Sequence, residues 1–203
     1  GFSTSIRKER LAKFRDYLAQ IIGFIRDVYI PDVKRVGSAY QDYFGIGAGY
    51  KNLIAYGVFD LDDSGRSKLL RPGVVTKGAT SVKAFNARDI TEKVSYSWYD
   101  DSTNGLNPTV GATLPLYPKN DDAYSWLKAP RYRDLPYEAG PLARMWINGD
   151  YRRGISVMDR HLSRAEEALK VAEAMNSWID EIRETEPAYS PFTVPVNAAG
   201  FGL

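Results

Sequence analysis

The sequence predicts a mainly α, α+β fold in which long helices from the two ends of the chain pack together and a small, irregular antiparallel β-region is inserted between them. Three observations lead there. Apolar residues recur at three- and four-residue spacing over 5–30 and again over 156–184. Between those stretches, Gly and Pro punctuate short segments in which apolar residues alternate. With 203 residues, 44% of them hydrophobic, the chain is long enough for one substantial core or two small ones.

The first helix is read over residues 5–30, with Ile6, Leu11, Phe14, Leu18, Ile21, Ile22, Ile25, Val28 and Tyr29 on its apolar side. Ser5 is a suitable N-cap, and Glu9 places negative charge near the positive end of the helix dipole. Pro31 ends that helix or opens the next at its first position. A shorter helix from Asp32 to about Tyr43 sets Val33, Val36, Tyr40 and Tyr43 on one side.

Residues 45–136 read as the β and loop insertion. "KVSYSWY" places Val94, Tyr96 and Trp98 on one face of a strand, and "RPGVVTKG" and "SVKAFNA" are candidate antiparallel partners for it. The stretch 100–122 is turn-rich and reads as a surface excursion. Helix resumes over 137–186, first around Pro141–Trp146 and then strongly from Ser156 to Glu184. Ser156 with Asp159 and Ser163 with Glu166 are its capping pairs, and Pro187 closes it. Residues 187–203 read as an extended, apolar tail, and no internal repeat is present.

Composition excludes much. There is no Cys and one His, which removes disulfides, thiolate metal sites and Cys nucleophiles, and any Ser-His-Asp triad would have to use His161. The net charge of +2, from 27 basic and 25 acidic residues, comes without a basic stripe, which argues against nucleic acid as a partner. No apolar run approaches the roughly 18–20 residues that span a bilayer. The first residues, "GFSTSIRKER", lack the apolar core of a secretory signal. Aromatics at 13%, with 14 Tyr, suit an irregular aromatic core or an interface.

Three motifs read as turns or surface before they read as sites. "FGIGAGYKN" has its third Gly one place early for a dinucleotide fingerprint and follows no strand, so it reads as a Gly turn. "DLDDSGRSKLLR" begins like a calcium loop, but Lys68 and Arg71 stand where its ninth and twelfth positions need a ligand or water and a bidentate Glu. It reads as a tight Asp/Ser/Gly turn. His161 falls one residue before Leu162 on the apolar stripe, at the boundary of that face.

A fourth motif is the elbow "KAPRYRDLPYEAGPLARMW", residues 128–146. Pro130, Pro136 and Pro141 stiffen its path, and Lys128, Arg131 and Arg144 are fixed cations available to an anion, a carboxylate or a metal-bound water network. The wider segment "SWLKAPRYRDLPYEAGPLARM" resembles the central segment of [NiFe]-hydrogenase large subunits. Three further stretches agree in order: "FIRDVYIPDVKRVGSAYQDYFGIGAGYKNLIAYGVFDLDDSG", "RPGVVTKG" and "DITEKVSYSWYDD". The likeness covers nearly the whole chain and looks nearest to the uptake, respiratory type.

That resemblance carries several implications. The complete protein would oxidise H2 or reduce protons at a nickel–iron centre held by two C-x-x-C pairs, one near each end of a much longer polypeptide, with a magnesium site nearby. Neither pair is in this sequence, nor are the family's proton-relaying Glu, magnesium-site His or catalytic Arg, and "GFGL" at 200–203 resembles the approach to the segment that carries that Arg. Residues 1–203 are therefore expected to be a single interior segment, inactive by itself and binding no metal. Lys128 is implied near the magnesium site. Glu138 and Arg144 are implied as a buried ion pair or hydrogen-bonded brace behind the cofactor cavity. The implied partners are a small subunit carrying iron–sulfur clusters and the remaining N- and C-terminal parts of the large subunit. The implied location is periplasmic or membrane-associated. A reading of another class is a cysteine-free, non-catalytic homologue serving as a structural or binding subunit.

Overall fold

The computed structural model describes residues 6–110, 113–183 and 191–198. It divides into two compact units, residues 1–48 with 151–194, and residues 49–150 with 195–203.

The first unit is helical. Its elements are α1 (Lys8–Phe24), α2 (Ile30–Ala39) and, from the second half of the chain, the 25-residue helix α4 (Val157–Glu181). Leu18, Ile22 and Ile25 are buried together with Ala172 of α4, and Leu169 and Met175 close around them. Burial of this kind stabilises by roughly 1.5–3 kcal/mol for each large aliphatic side chain. Arg15 pairs with Asp180 and Arg26 with Glu173, so the two helices run antiparallel. Helices from opposite ends of the chain thus pack as their periodicity predicts.

Pro31 does not end the first helix but stands in the first turn of the next, one place past its first position. It is the second residue of α2, and the chain passes into it through a five-residue π-helical turn, Ile25–Tyr29. A proline has no N–H for the carbonyl four residues back and its ring crowds that carbonyl. The wider turn accommodates the ring, and the Ile30 N–H bonds five residues back to the Ile25 carbonyl. Helix α2 ends at Ala39, and Gln41–Phe44 forms a 3-10 turn in place of further α-helix. Ser5, the expected cap, lies outside the described residues. The residue at the N-cap is Arg7, whose side chain makes no capping bond, while Glu9 does lie in the first turn.

At the other helix start, Ser156 caps α4 by accepting from the Asp159 N–H at 3.1 Å. The second expected capping pair is not a helix start. Ser163 is buried inside α4, with its hydroxyl donating to the Arg160 carbonyl, because the helix is already under way from Val157. Pro187 and the "GFGL" terminus lie outside the described residues.

Among the described residues, the second unit contains three two-stranded antiparallel pairs and one α-helix, α3 (Pro141–Asn148). Strand β1 (Leu53–Ala55) pairs with β4 (Gly73–Val75), β2 (Val58–Asp60) with β3 (Lys68–Leu70), and β5 (Ile90–Lys93) with β6 (Ala129–Tyr132). The strand read at "KVSYSWY" is displaced. β5 stops at Lys93, because the Val94 N–H goes to Asn104 Oδ1 and its carbonyl accepts from Ser97 N–H and Lys119 Nζ. Nor do "RPGVVTKG" and "SVKAFNA" pair with it. They meet each other, through reciprocal Val74 and Lys83 bonds, and β4 takes β1 as its ladder partner. Ile54, Val74, Ile90 and Tyr132 form the core of this unit, with Phe85 and Tyr137 packed against them. The turn-rich stretch after residue 100 is tied back by bonds such as Asp100 N–H to Leu114 O and Leu116 N–H to Trp98 O.

Candidate functional site

The elbow at 128–146 is a strand, a hairpin turn and a helix in succession. β6 runs from Ala129 to Tyr132, and the chain then reverses through Arg133 and Asp134, whose φ angles are 49° and 61°. Tyr132 and Leu135 exchange both backbone hydrogen bonds across this two-residue turn. Positive φ at both central residues suits the twist of paired strands, although Asn-Gly is the usual sequence for it. Arg133 is held by Asp89, in the 3-10 turn just before β5, with Nε on Oδ2 at 2.8 Å and its N–H on the Asp89 carbonyl.

Past the turn, the chain docks on β1. The Glu138 N–H donates to the Asn52 carbonyl at 2.8 Å, and the Glu138 carbonyl accepts from Ile54 N–H at 2.9 Å. Asn52 is buried and serves both sides: Nδ2 donates to the Pro136 carbonyl at 3.2 Å and Oδ1 accepts from Lys77 N–H at 3.0 Å. Gly140 then turns the chain with φ of 122°, a value reserved for glycine, and Pro141 opens α3 at its first position. Helix α3 packs on β1 and buries Leu142, Ala143, Met145, Trp146 and Ile147. Gly149 ends it in left-handed conformation. Arg71 covers the same end, donating Nε to the Ile147 carbonyl at 2.6 Å and N–H to Asn148 Oδ1. A cation at a helix C-terminus is favourable, and this occupies the residue that stood where a calcium loop needs Glu.

Each expected site residue can now be located. Lys128 Nζ donates to Glu92 Oε2 and to Thr113 Oγ1, both at 2.9 Å, and lies 5.3 Å from the Tyr99 ring centroid. Glu138 and Arg144 are both half-buried, at the β1 contact and inside α3 respectively. His161 is exposed on α4, beside Val33, Val36, Tyr40 and Met158 in a groove of about 380 Å³. At the calcium-like stretch, Asp62 accepts first from the Ser64 hydroxyl and then from the N–H groups of Ser67 and Ser64, which holds its carboxyl below the usual range, and Lys68 pairs with Asp60. The cation there is a lysine. The Gly stretch is a turn, with φ of 77° at Gly47 and 55° at Gly49.

Two residues of the site escaped sequence reasoning. Glu92 is 36 positions from Lys128, and Asn52 stands before a strand with no motif around it. The available signal for Glu92 was its place in a short strand opposite the elbow.

A family described as nickel-dependent hydrogenase matches residues 2–154. The chain belongs to the nickel-dependent hydrogenase family. It is 34% identical over 222 residues to the periplasmic [NiFeSe] hydrogenase large subunit of Desulfomicrobium baculatum, covering 96% of this chain and 42% of that protein. It is 34% identical over 176 residues to the uptake hydrogenase large subunit of Rhizobium leguminosarum bv. viciae, covering 73% of this chain and 29% of that protein. The Ni-Fe-Se hydrogenase of D. vulgaris Hildenborough in the as-isolated oxidised state superposes with a TM-score of 0.85 at 35% identity, over 94% of this chain and 44% of the other. The chain therefore spans less than half the length of these hydrogenase relatives.

Its residues do not fit a nickel–iron centre. A soft-metal site of that kind takes thiolates, and the sequence has no Cys. Among the described residues, no group of three or more His, Cys, Asp or Glu could hold a metal ion, and the Glu92 carboxylate is engaged by Lys128. No helix among the described residues is long and apolar enough to cross a membrane.

Proposed function

We propose that this chain is part of the catalytic large subunit of a nickel–iron hydrogenase, interconverting H2 with two protons and two electrons, and that it supplies scaffold and polar bracing instead of metal ligands. The observation that carries this reading is the likeness to the D. vulgaris Hildenborough Ni-Fe-Se hydrogenase over 94% of the chain. In this reading the thiolates that hold nickel and iron lie in the parts of the subunit outside residues 1–203. Electrons leave through iron–sulfur clusters of a small subunit. The name of the D. baculatum relative supports a periplasmic site of action.

The elbow is then a brace behind the metal cavity. Lys128, fixed by Glu92 and Thr113, is suited to hold water bound to a magnesium ion that other parts of the subunit ligate. Glu138 and Arg144 lock the strand β1 and the start of α3 into the same frame.

Purification of the complete enzyme tests the assignment. Elemental analysis is expected to find nickel and iron, with H2-dependent dye reduction, whereas the 203-residue chain alone is expected to have neither. A complete complex without nickel or H2 uptake overturns it, and so does turnover by the chain alone. In the complete enzyme, Arg144→Leu should lower the yield of assembled protein. Normal assembly with normal activity removes the bracing role.

A further inference from the structure

Helix α1 and the π-helical turn that continues it, Ile25–Tyr29, together carry two apolar faces. One, formed by Leu18, Ile22 and Ile25, is buried against α4. The other is Phe14, Tyr17, Ile21, Phe24 and Val28, which follow one another at intervals of three, four, three and four residues. Each of these five is between 43% and 58% exposed. Such spacing is the seam along which one helix receives another. A helix apolar on more than one face belongs inside a larger helical layer, and a contiguous apolar stripe marks a contact surface.

The stripe is also continuous with the existing core. Phe14 is shared with a recess of about 340 Å³ between the two helices, lined by Ile6, Met175, Trp178, Ile179 and Ile182 among others. A surface that runs unbroken into a core has the character of a core cut open, the property of obligate interfaces and not of transient ones. The relatives are more than twice as long as this chain, which spans 42% of one and 44% of another.

We propose that a helix from the part of the large-subunit polypeptide outside residues 1–203 packs along Phe14, Tyr17, Ile21, Phe24 and Val28 and completes the core begun by α1 and α4. This rests on the reading of the chain as part of a longer hydrogenase subunit. The seam spacing sets the geometry, with the two axes crossing near +20°.

The test is photo-crosslinking in the complete, purified hydrogenase. Tyr17→p-benzoylphenylalanine and Phe24→p-benzoylphenylalanine report on the stripe, and Ala12→p-benzoylphenylalanine, on another face of α1, is the control. Both stripe positions should give adducts to one peptide of the same polypeptide beyond residues 1–203. The yield should be about tenfold above the control, as for a side chain seated in a facing helix. Adducts to the small subunit, to a second copy or to residues 49–150 overturn the inference, and so do yields equal to the control. H2 uptake is read on the same preparations. Active enzyme with misplaced adducts sinks the helix contact and leaves the assignment standing. A mature subunit of only 203 residues, without nickel, sinks both.

Discussion

Lys128 reaches diagonally across the β5–β6 pair to place its Nζ 2.9 Å from Glu92 Oε2. Glu92 faces Pro130 in the ladder, and Lys128 lies two residues before Pro130, so the two side chains share one face of the pair. Both are mostly shielded, with 18% and 29% of their side chains exposed. The pair should therefore be stronger than a surface ion pair and weaker than a fully buried one. A double-mutant cycle with Glu92→Gln and Lys128→Met should yield a coupling of about 1 kcal/mol in urea unfolding. Strict additivity of the two losses would remove the pair as a determinant of the elbow.

The hairpin tip stores strain. Arg133 and Asp134 both hold positive φ, in a turn whose preferred second residue is Gly. Asp134 contributes an exposed ion pair with Lys93 at 2.8 Å, and such pairs are worth only about 0.2–1 kcal/mol. Relief of left-handed strain is worth about 1–2 kcal/mol, against which glycine costs about 0.4–1 kcal/mol of chain entropy. Asp134→Gly should thus stabilise slightly, by about 0.5 kcal/mol. A clear fall in the unfolding midpoint would show that the ion pair, and not backbone strain, dominates the tip.

Gly73 in β4 is needed for space. A Cβ there would press on Val82 Cγ1 and lie 3.1 Å from Ile147 Cγ2, between the β1–β4 pair and α3. Overpacking of this sort costs about 1–3 kcal/mol. Gly73→Ala should lower the urea midpoint accordingly with little change in m-value. An unchanged midpoint would mean that Val82 yields freely.

What the sequence reveals and what it hides follows from range. The long helices α1 and α4 are legible because their apolar spacing persists for several turns and because Ser156 and Asp159 mark a start. The cations at the ninth and twelfth positions of the calcium-like stretch are legible as residues, but that Lys68 pairs with Asp60 and Arg71 covers the end of α3 is not. The π-turn at Ile25–Tyr29 is not legible, because it depends on how the backbone absorbs Pro31. The true extent of β5 is hidden because side chains from Asn104 and Lys119 capture the groups Val94 would have offered to a ladder. Glu92 as the partner of Lys128 emerges only once β5 and β6 pair, and Asn52 only once residues 136–138 dock on β1.

Tyr151 and Asp159 make the last prediction, in the helical unit. The Tyr151 hydroxyl donates to Asp159 Oδ1 at 2.5 Å, while Ser156 Oγ donates to Oδ2 at 2.5 Å, and all three residues are buried. Burial first, and then the adjacent carboxylate, push the Tyr151 phenol well above its ordinary pKa. A group whose pKa is higher in the folded state keeps its full contribution below the unfolded value, about 10 for Tyr, and loses it as pH rises towards the folded value. Stability should therefore fall as the pH climbs above about 10, because the unfolded chain releases a proton that the native phenol retains. In Tyr151→Phe that proton is missing, so the variant should be less stable at neutral pH but should lose about 1 kcal/mol less than the parent between about pH 10 and 11. Urea unfolding at both pH values reads the difference. Parallel losses in parent and variant would mean that the phenol ionises as easily in the native protein as in the unfolded chain.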